Sequence, residues 1–359
     1  MTKPIKRKSS ELLTELLKDP DRKSIFNIVT DLLSLTFYHG SFPRHYFSRY
    51  LFKKGRTNIK DYFSNDYLYY KIKPFVNDKE VSNVVENKLY FNFFYSQFGI
   101  SLPKILMYNH KKVFVIGTKN VEANNTSEFK VLLEDIFKQN PAVESLIIKR
   151  TYGSYGGDSV YKFFRYQLTS DAELISMSYT EIIKAGFLFQ ETVKQHPALN
   201  ALNPSCLNTI RFDTFIDKNG TIEIMSGFLR MSISNQHVDN ISSGGCLVGI
   251  DLDTGKLKKD GYSSITKFGV KVLTVHPITN IVFENFNIPY FAQAKQLVIY
   301  SARFMPGLRL IGWDVAIGES GPVIIEGNSD YSMQGNDLSY GGYRSNPVFR
   351  KILAELNYI

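Results

Sequence analysis

The sequence lacks the features that mark disulfide-rich, zinc-binding and membrane-spanning proteins. Among its 359 residues only two cysteines occur, Cys206 and Cys246, and no Cys-x-x-Cys motif or Cys/His cluster accompanies them, so a disulfide framework and a structural zinc site are both disfavoured. No segment approaches the roughly 18 consecutive apolar residues of a transmembrane helix. The N-terminus is basic, but Ser9-Ser10-Glu11 stands where a signal peptide needs its apolar run. We therefore expect a cytoplasmic protein that is soluble or at most peripheral to a membrane.

The common nucleotide-binding glycine motifs and nucleophilic triads are missing as well. The chain contains no G-x-x-x-x-G-K-[ST] motif, and no G-x-G-x-x-G follows a predicted strand and opens a helix. No Ser/His/Asp or Cys/His arrangement stands out. Five histidines show no ligand spacing and are interpreted as surface or core residues: His39, His45, His110, His237 and His276.

Positive charge and aromatic residues are abundant. The formal net charge is 43 − 34 = +9, and aromatic residues make up 14% of the chain, a combination that suits nucleic acid, an anionic membrane surface or phosphorylated substrates without choosing among them. The basic residues cluster near the N-terminus, which predicts either a solvated basic end or weak peripheral attraction to anionic lipid. These residues are Lys3, Lys6, Arg7, Lys8, Lys53, Lys54 and Arg56.

The order of periodic segments predicts an α+β protein with two or three lobes. Leucine and isoleucine recur at helical spacing from residue 9 to about residue 100, with a break at Pro20-Asp21. Short apolar runs then alternate with helix candidates at 127–139 and 171–185. Strands dominate from 208 to 285, and a helix is expected near 290–304.

A predicted hairpin near the C-terminus carries three oxygen ligands at the spacing D-x11-E-x-N. Residues 311–317 form the first strand, 318–321 the turn and 322–328 the returning strand. Side chains alternate along a strand, so Glu326 and Asn328 share a face, with Asp314 across the hairpin. Magnesium prefers such oxygen ligands and completes its coordination with substrate phosphates. The alternative is a hairpin whose acidic residues only solvate its edge.

A lysine precedes a glycine-rich loop in the middle of the chain. Lys149 ends an apolar strand, and the following segment through residue 157 contains Gly153, Ser154, Gly156 and Gly157. Such a loop can fold closely over phosphates and offer backbone N–H donors. An ordinary hairpin turn is the alternative interpretation.

Three polar features follow along the chain. An apolar strand emerges at Gln190-Glu191, as expected of a hinge whose backbone pairs with adenine. Arg211 and Arg230 stand on strands with apolar neighbours, and a guanidinium suits phosphate or a carboxylate that is to be phosphorylated. The segment 239–245 supplies a second loop rich in amides and hydroxyls, including Asn240.

The order of these motifs along the chain resembles that of the ATP-grasp superfamily. The motifs are the lysine, the glycine loop, the hinge, the arginine pair, the second loop and the terminal triplet. Within this superfamily, the stretch 186–328 is similar to the sugar-transfer-associated ATP-grasp family. The resemblance covers roughly residues 85 to 330 and implies two α+β lobes that clasp ATP. We expect a helical N-terminal region over residues 1–84, a first lobe over 85–189 and a second lobe over 190–359.

The resemblance also implies a role for each matching residue. Lys88, Lys149 and the glycine loop would bind the ATP phosphates, Gln190 and Glu191 with the backbone of Thr192 and Val193 would hold adenine, and His196 would contact the ribose. Arg211, Arg230 and Asn240 would stabilise the transferred phosphoryl group, and Asp314, Glu326 and Asn328 would bind Mg²⁺, with Mn²⁺ as an alternative ion.

The leading hypothesis is an ATP- and magnesium-dependent carboxylate–amine ligase that forms an amide through an acylphosphate during surface polysaccharide biosynthesis. Its expected partners are small molecules, a sugar acid and an amino acid among the candidates, and not nucleic acid. One alternative is a phosphotransferase that stops at a phosphorylated sugar-linked product. Another is a non-catalytic basic binding module.

Overall fold

Two six-stranded antiparallel sheets organise the chain. The computed structural model describes residues 9–154, 159–234, 245–264, 269 and 271–358. The chain divides into two compact units, the first formed by Met1–Ser82, Gln195–Pro322 and Gly327–Ile359, and the second by Asn83–Lys194 and Val323–Glu326. The predicted boundaries after residues 84 and 189 stay predictions.

The helices and strands are numbered in chain order. The α-helices are α1 (Ser9–Lys18), α2 (Ile25–His39), α3 (His45–Ser48), α4 (Asn65–Tyr67), α5 (Lys73–Val76), α6 (Lys79–Glu86), α7 (Lys88–Ser96), α8 (Thr126–Gln139), α9 (Gln167–Ser170), α10 (Ala172–Ile182), α11 (Pro197–Leu202), α12 (Phe291–Ala302), α13 (Gln334–Tyr340) and α14 (Pro347–Glu355). The strands are β1 (Ile105–His110), β2 (Val113–Ile116), β3 (Lys119–Glu122), β4 (Ser145–Arg150), β5 (Val160–Phe164), β6 (Gly186–Glu191), β7 (Thr209–Ile216), β8 (Ile222–Ser232), β9 (Gly245–Ile250), β10 (Leu257–Ser263), β11 (Leu310–Gly318) and β12 (Gly321–Asn328).

The sheet of the second unit has the strand order β3-β2-β1-β6-β4-β5. Apolar side chains of α8 and α10, among them Phe129 and Ile182, pack with Ile148 of β4 and Phe189 of β6 in one core. Because side chains alternate along a strand, the residues next to these core positions on β4 and β6 project from the opposite face. Lys149 is one of them.

The other sheet has the order β10-β9-β8-β7-β11-β12. On one face Phe212 of β7 contacts Phe291 of α12, with ring centroids 5.7 Å apart. On the other face Phe228 of β8 belongs to a core that also contains Leu338 of α13. The polar residues discussed below lie on the same face as Phe228.

The N-terminal helices share this second core. Leu35 of α2 and Tyr46 of α3 pack with Phe228. The guanidinium of Arg49 is fully buried, and its Nε atom donates to Asp337 of α13 at 2.9 Å. The first 82 residues are therefore built into the unit that contains this sheet.

Most of the predicted elements are confirmed. The C-terminal hairpin, the helices near 127–139, 171–185 and 290–304 and the break after α1 all appear where the sequence predicts them. Within the described part of the chain, no helix has both the length and the apolar character needed to cross a membrane.

Candidate functional site

Two arginines bind one buried carboxylate in the first compact unit. The Nε and Nη2 atoms of Arg211 donate to the two carboxylate oxygens of Asp314 at 2.5 and 3.0 Å. The Nη2 atom of Arg230 lies 2.8 Å from the Oδ2 atom of the same carboxylate. Only 1% of the Asp314 side chain is exposed. We call these three residues the arginine–aspartate cluster.

Strand register builds this cluster. Arg211 of β7 pairs with Asp314 of β11, and Thr209 of β7 pairs with Arg230 of β8. Paired residues and residues two apart on a strand share a face, so all four side chains project together. The hydroxyl of Thr209 accepts from both Nε and Nη2 of Arg230, at 3.0 and 2.6 Å. Arg211 and Arg230 therefore stand on adjacent strands, and Arg211 faces away from its neighbour Phe212.

An aromatic ring supports the cluster. The Arg211 guanidinium lies over the ring of Tyr331, 5.4 Å from its centroid. The same ring packs so closely on Gly312 that a Cβ atom there would meet it at 2.9 Å, which explains why a glycine stands two residues before Asp314. No local pattern in the sequence marks Tyr331, because its contact with Arg211 depends on the fold.

Asp213, a buried acid two residues after Arg211, was not predicted from the sequence. Its carboxylate accepts from the backbone N–H and hydroxyl of Ser226 at 3.0 and 2.8 Å and from the hydroxyl of Tyr343. Burial raises the pKa of Asp213 from 3.8 to about 6, although these hydrogen bonds act in the opposite direction. The sequence signal is an acid that directly follows Phe212 within a predicted strand.

In the second unit, a predicted phosphate-binding residue lies beside a predicted metal ligand. The Nζ atom of Lys88 lies 3.6 Å from the Oε2 atom of Glu326 and 3.4 Å from the backbone oxygen of Ser154. Lys88 is the first residue of α7. The side chain of Asn87 caps this helix by accepting from the N–H groups of Leu89 and Tyr90. The Lys88 N–H donates to Thr151 O at 2.8 Å. The start of α7 and the start of the glycine loop are therefore held together.

The glycine loop is described as far as Ser154. Gly153 has φ +70°, a left-handed conformation that favours glycine. Among the described residues, the hydroxyl of Ser154 is buried and has no hydrogen-bond partner. Lys149 is 5% exposed, on the sheet face opposite the α8–α10 core. Gly156 and Gly157 lie outside the described residues.

The predicted adenine hinge is tied to neighbouring backbone. The Nε2 atom of Gln190 donates to Pro103 O at 3.2 Å. Glu191 bonds Lys104 twice, with its N–H donating to the Lys104 oxygen at 3.1 Å and its Oε1 atom accepting from the Lys104 N–H at 3.2 Å. The hydroxyl of Thr192 donates to Ser145 O at 3.0 Å. The side chains of Gln190 and Glu191 thus fix the end of β6, and adenine binding here and at Val193 stays a prediction.

His196, the predicted ribose contact, caps a helix. Its ring Nδ1 atom accepts from the Ala198 N–H at 3.1 Å at the start of α11. The backbone N–H of His196 donates to Ile317 O at 2.9 Å. The ring meets Tyr290 edge-on at 5.7 Å. Asn240, the third residue predicted to stabilise the phosphoryl group, lies outside the described residues.

The predicted metal ligands fit a hard divalent cation in their chemistry. Two carboxylates and an amide oxygen are ligands that magnesium accepts. The Nδ2 atom of Asn328 donates to Gly312 O at 3.4 Å, which turns its oxygen, the potential ligand, away from that carbonyl. No group of three or more His, Cys, Asp and Glu side chains suited to a metal occurs among the residues that the structure describes. The Asp-Glu-Asn triplet therefore remains a prediction, and Asp314 already accepts from two arginines.

The chain belongs to the sugar-transfer associated ATP-grasp family, whose model matches residues 68–345. This membership and the two mixed helix-and-strand units confirm the predicted α+β, ATP-grasp fold. No curated protein matches the sequence significantly.

Several solved structures resemble the chain at a distance. A D-cycloserine synthetase is 11% identical, with a TM-score of 0.45 over 78% of this chain and 73% of that chain. D-alanyl-alanine synthetase A from Vibrio cholerae O1 biovar eltor is 14% identical, with a TM-score of 0.46 over 78% and 68%. D-alanine–D-alanine ligase from Bacillus anthracis is 12% identical, with a TM-score of 0.41 over 77% and 68%. Similarities this distant carry no information about the reaction of this chain.

Proposed function

We propose that the chain is an ATP- and magnesium-dependent ligase that joins a carboxylate to an amine through an acylphosphate. The observation that carries the proposal is the arginine–aspartate cluster of Arg211, Asp314 and Arg230. Two guanidinium groups are held in place by one buried carboxylate, and only 10% and 12% of the two arginine side chains are exposed. A positioned guanidinium donates in a planar fork to phosphate and carboxylate oxygens, so an anionic substrate group is a suitable ligand for this cluster.

The reaction has two balanced steps. A carboxylate oxygen of the substrate attacks the γ-phosphorus of ATP, the bond to the β,γ-bridging oxygen breaks, and ADP leaves. The amine then attacks the acyl carbon, inorganic phosphate leaves with the C–O bond electrons, and the amine loses a proton. The negative charge on the transferring phosphoryl group spreads over its oxygens, and positioned cations stabilise it.

The chain's own residues supply positioning and charge in this proposal. Arg211 and Arg230, held by Asp314 and Thr209, stabilise the transferring phosphoryl group without having to reorganise. Lys88 and Lys149 bind the ATP phosphates, and the hydroxyl of Ser154, which has no hydrogen-bond partner within the part of the chain that the structure describes, is a further donor for them. The remaining residues keep the roles that the family resemblance implies. They are Gly153, Gly156, Gly157, Gln190, Glu191, Thr192, Val193, His196 and Asn240.

Magnesium would be held by Asp314, Glu326 and Asn328. When bound, the ion neutralises phosphate charge and orients the β- and γ-phosphates. Glu326 lies beside Lys88. A carboxylate suited to a metal ion and an ammonium group suited to a phosphate are thus adjacent, as a metal–phosphate site requires, and this supports the assignment of Glu326. Mn²⁺ is the alternative ion.

The proposed substrate class is supported by the family description alone. Association with sugar transfer favours a sugar-linked acid or an amino acid in the synthesis of capsule or exopolysaccharide in the cytoplasm. A phosphotransferase acting on a sugar-linked hydroxyl would use the same residues.

Trapping with hydroxylamine separates the two reactions without knowledge of the natural amine. The full chain is incubated with ATP, magnesium and a panel of sugar acids and amino acids, and ADP, AMP and hydroxamate are measured by chromatography and mass spectrometry. ADP together with a hydroxamate supports the ligase, because an acylphosphate acylates hydroxylamine whereas a phosphoester does not. ADP with a stable phosphoester would replace the ligase by the phosphotransferase, and AMP would contradict both. The Arg211→Ala variant controls for contaminating ATPases.

A further inference from the structure

Helix α2 exposes an apolar stripe to solvent. Its buried residues, Ile28 and Leu35, are seven positions apart and mark its inner face. Nearly opposite on the helical wheel lie Phe26, Leu33 and Phe37, which are 75%, 66% and 93% exposed. Val29, 47% exposed, belongs to the same stripe. We call Phe26, Val29, Leu33 and Phe37 the α2 stripe.

The size of the α2 stripe argues against a second copy of the chain as its occupant. Eleven residues separate its ends, so it is about 16 Å long. With 150–250 Å² for a whole aromatic side chain, its exposed area is about 500 Å². A stable protein interface needs about 800 Å² from each partner. The stripe has the size at which exposed apolar patches are often functional, but it is small for a dimer interface.

Charge selects the occupant. The first 60 residues contain 13 basic and five acidic side chains (13 − 5 = +8), whereas residues 61–359 contain 30 and 29 (30 − 29 = +1). Arg49 and Arg56 pair with Asp337 and Asp260 outside this segment, and setting both aside still leaves +6 (8 − 2) on the segment that carries α2. Arg22 precedes the helix and its N-cap Ser24, and Arg44 follows it. The one acidic residue of α2, Asp31, pairs with Lys23 at 2.7 Å, so both of these charges are compensated.

We propose that the α2 stripe and the surrounding basic residues bind the surface of an anionic lipid bilayer. A helix with aromatic and leucine side chains on its outer face lies in the plane of the membrane interface, and basic residues add attraction to anionic headgroups. None of the four residues of the α2 stripe is among those assigned to ATP. Binding would bring the reaction to a membrane face.

Vesicle sedimentation with the full chain tests the proposal. Wild-type protein should bind vesicles of equal parts phosphatidylglycerol and phosphatidylcholine at least about tenfold better than pure phosphatidylcholine vesicles, and high salt should weaken the binding. Leu33→Gln combined with Phe37→Gln should lower the partition coefficient by about tenfold or more. The matched control is Tyr166→Gln combined with Met177→Gln, whose side chains are 65% and 63% exposed in the other unit; it should bind like wild type.

Three outcomes would overturn the proposal. They are equal binding of the α2 stripe variant and the wild type, equal binding to both kinds of vesicle, and a wild-type dimer that the α2 stripe variant converts to a monomer in sedimentation velocity. Thermal unfolding shows whether the variant is folded, and if it is not, the vesicle and salt comparisons on wild-type protein decide alone. ATP turnover without lipid should be the same in both variants and in wild type, which separates this test from that of the ligase.

Discussion

Arg211 and Asp314 stand directly opposite each other on neighbouring antiparallel strands and share two hydrogen bonds of 2.5 and 3.0 Å, although 103 residues separate them in the sequence. A two-point contact fixes the plane of the guanidinium as well as its position. Arg230 approaches the same carboxylate from the strand on the other side of β7. The cluster is thus rigidly placed on three central strands of its sheet.

Removing Arg211 should damage chemistry more than ATP binding. We expect Arg211→Ala to lower the turnover number about 10²–10³-fold, the usual cost of losing one positioned donor to a transition state, with a smaller change in the apparent ATP constant. Arg309→Ala is the matched control, because it breaks a pair with Glu355 at 2.5 Å in the same unit, and should leave turnover intact below its unfolding temperature. Lost ATP affinity with unchanged turnover in Arg211→Ala would assign this arginine to nucleotide binding only.

Neutralising Glu326 should alter the response to magnesium. If Glu326 is a ligand, Glu326→Gln raises the magnesium concentration needed for half-maximal turnover, because a neutral amide is a weaker ligand for a hard cation than a carboxylate. The control is Glu319→Gln, an exposed acid in the turn of the same hairpin. Identical magnesium titrations for wild type and both variants would remove Glu326 from the metal site.

Lys149 should contribute directly to ATP affinity. Lys149→Ala is expected to weaken binding of a non-hydrolysable ATP analogue by about 1.5–3 kcal/mol, the value of a hydrogen bond to a charged group. Isothermal calorimetry measures the effect, and Lys162→Ala, which removes an exposed lysine from the neighbouring strand β5, should change nothing. An unchanged dissociation constant in Lys149→Ala would contradict the phosphate assignment.

The raised pKa of Asp213 should appear in the pH dependence of stability. Since its pKa is about 6 in the folded chain and 3.8 as the ordinary value, the folded state binds more protons between these pH values, and stability falls as pH rises through this window. The full difference between the two pKa values corresponds to about 3 kcal/mol of unfolding free energy. The free energy of unfolding is measured with denaturant for wild type and for Asp213→Asn at pH 4 and pH 7. The stability advantage of wild type over the variant should be smaller at pH 7 than at pH 4. A difference independent of pH would mean that Asp213 titrates normally.

The Arg49–Asp337 pair should stabilise the attachment of the N-terminal helices. Both side chains are fully buried, and Asp337 also accepts from the N–H groups of Phe63 and Tyr343 at 3.2 and 2.8 Å. Arg49→Ala leaves a buried carboxylate without its cation and should cost about 3–5 kcal/mol of unfolding free energy. Lys351→Ala, which breaks a solvent-exposed pair with Glu223, is the control and should have little effect. Equal small losses in urea unfolding would show that the Arg49 pair is not a determinant of stability.

The sequence alone was sufficient where the signal is local. Alternating and helical periodicity predicted the C-terminal hairpin and the helices near 127–139 and 290–304, because the burial of one face imposes a period of 2 or 3.6 residues. The order of the polar motifs was enough to indicate the family, since each motif is short and contiguous.

Contacts between distant segments were decided by the tertiary structure. Nothing near Arg211 in the sequence shows that its partner is Asp314, that Tyr331 lies under its guanidinium, or that Asp213 is buried against Tyr343. Likewise, the shared core of Leu35 and Phe228 joins residues far apart in the chain. Such pairings depend on strand register and on the packing of the whole unit, where each contact is favourable only because many others form with it. Local sequence limits which residues can take part, and the assembled core determines which of them meet.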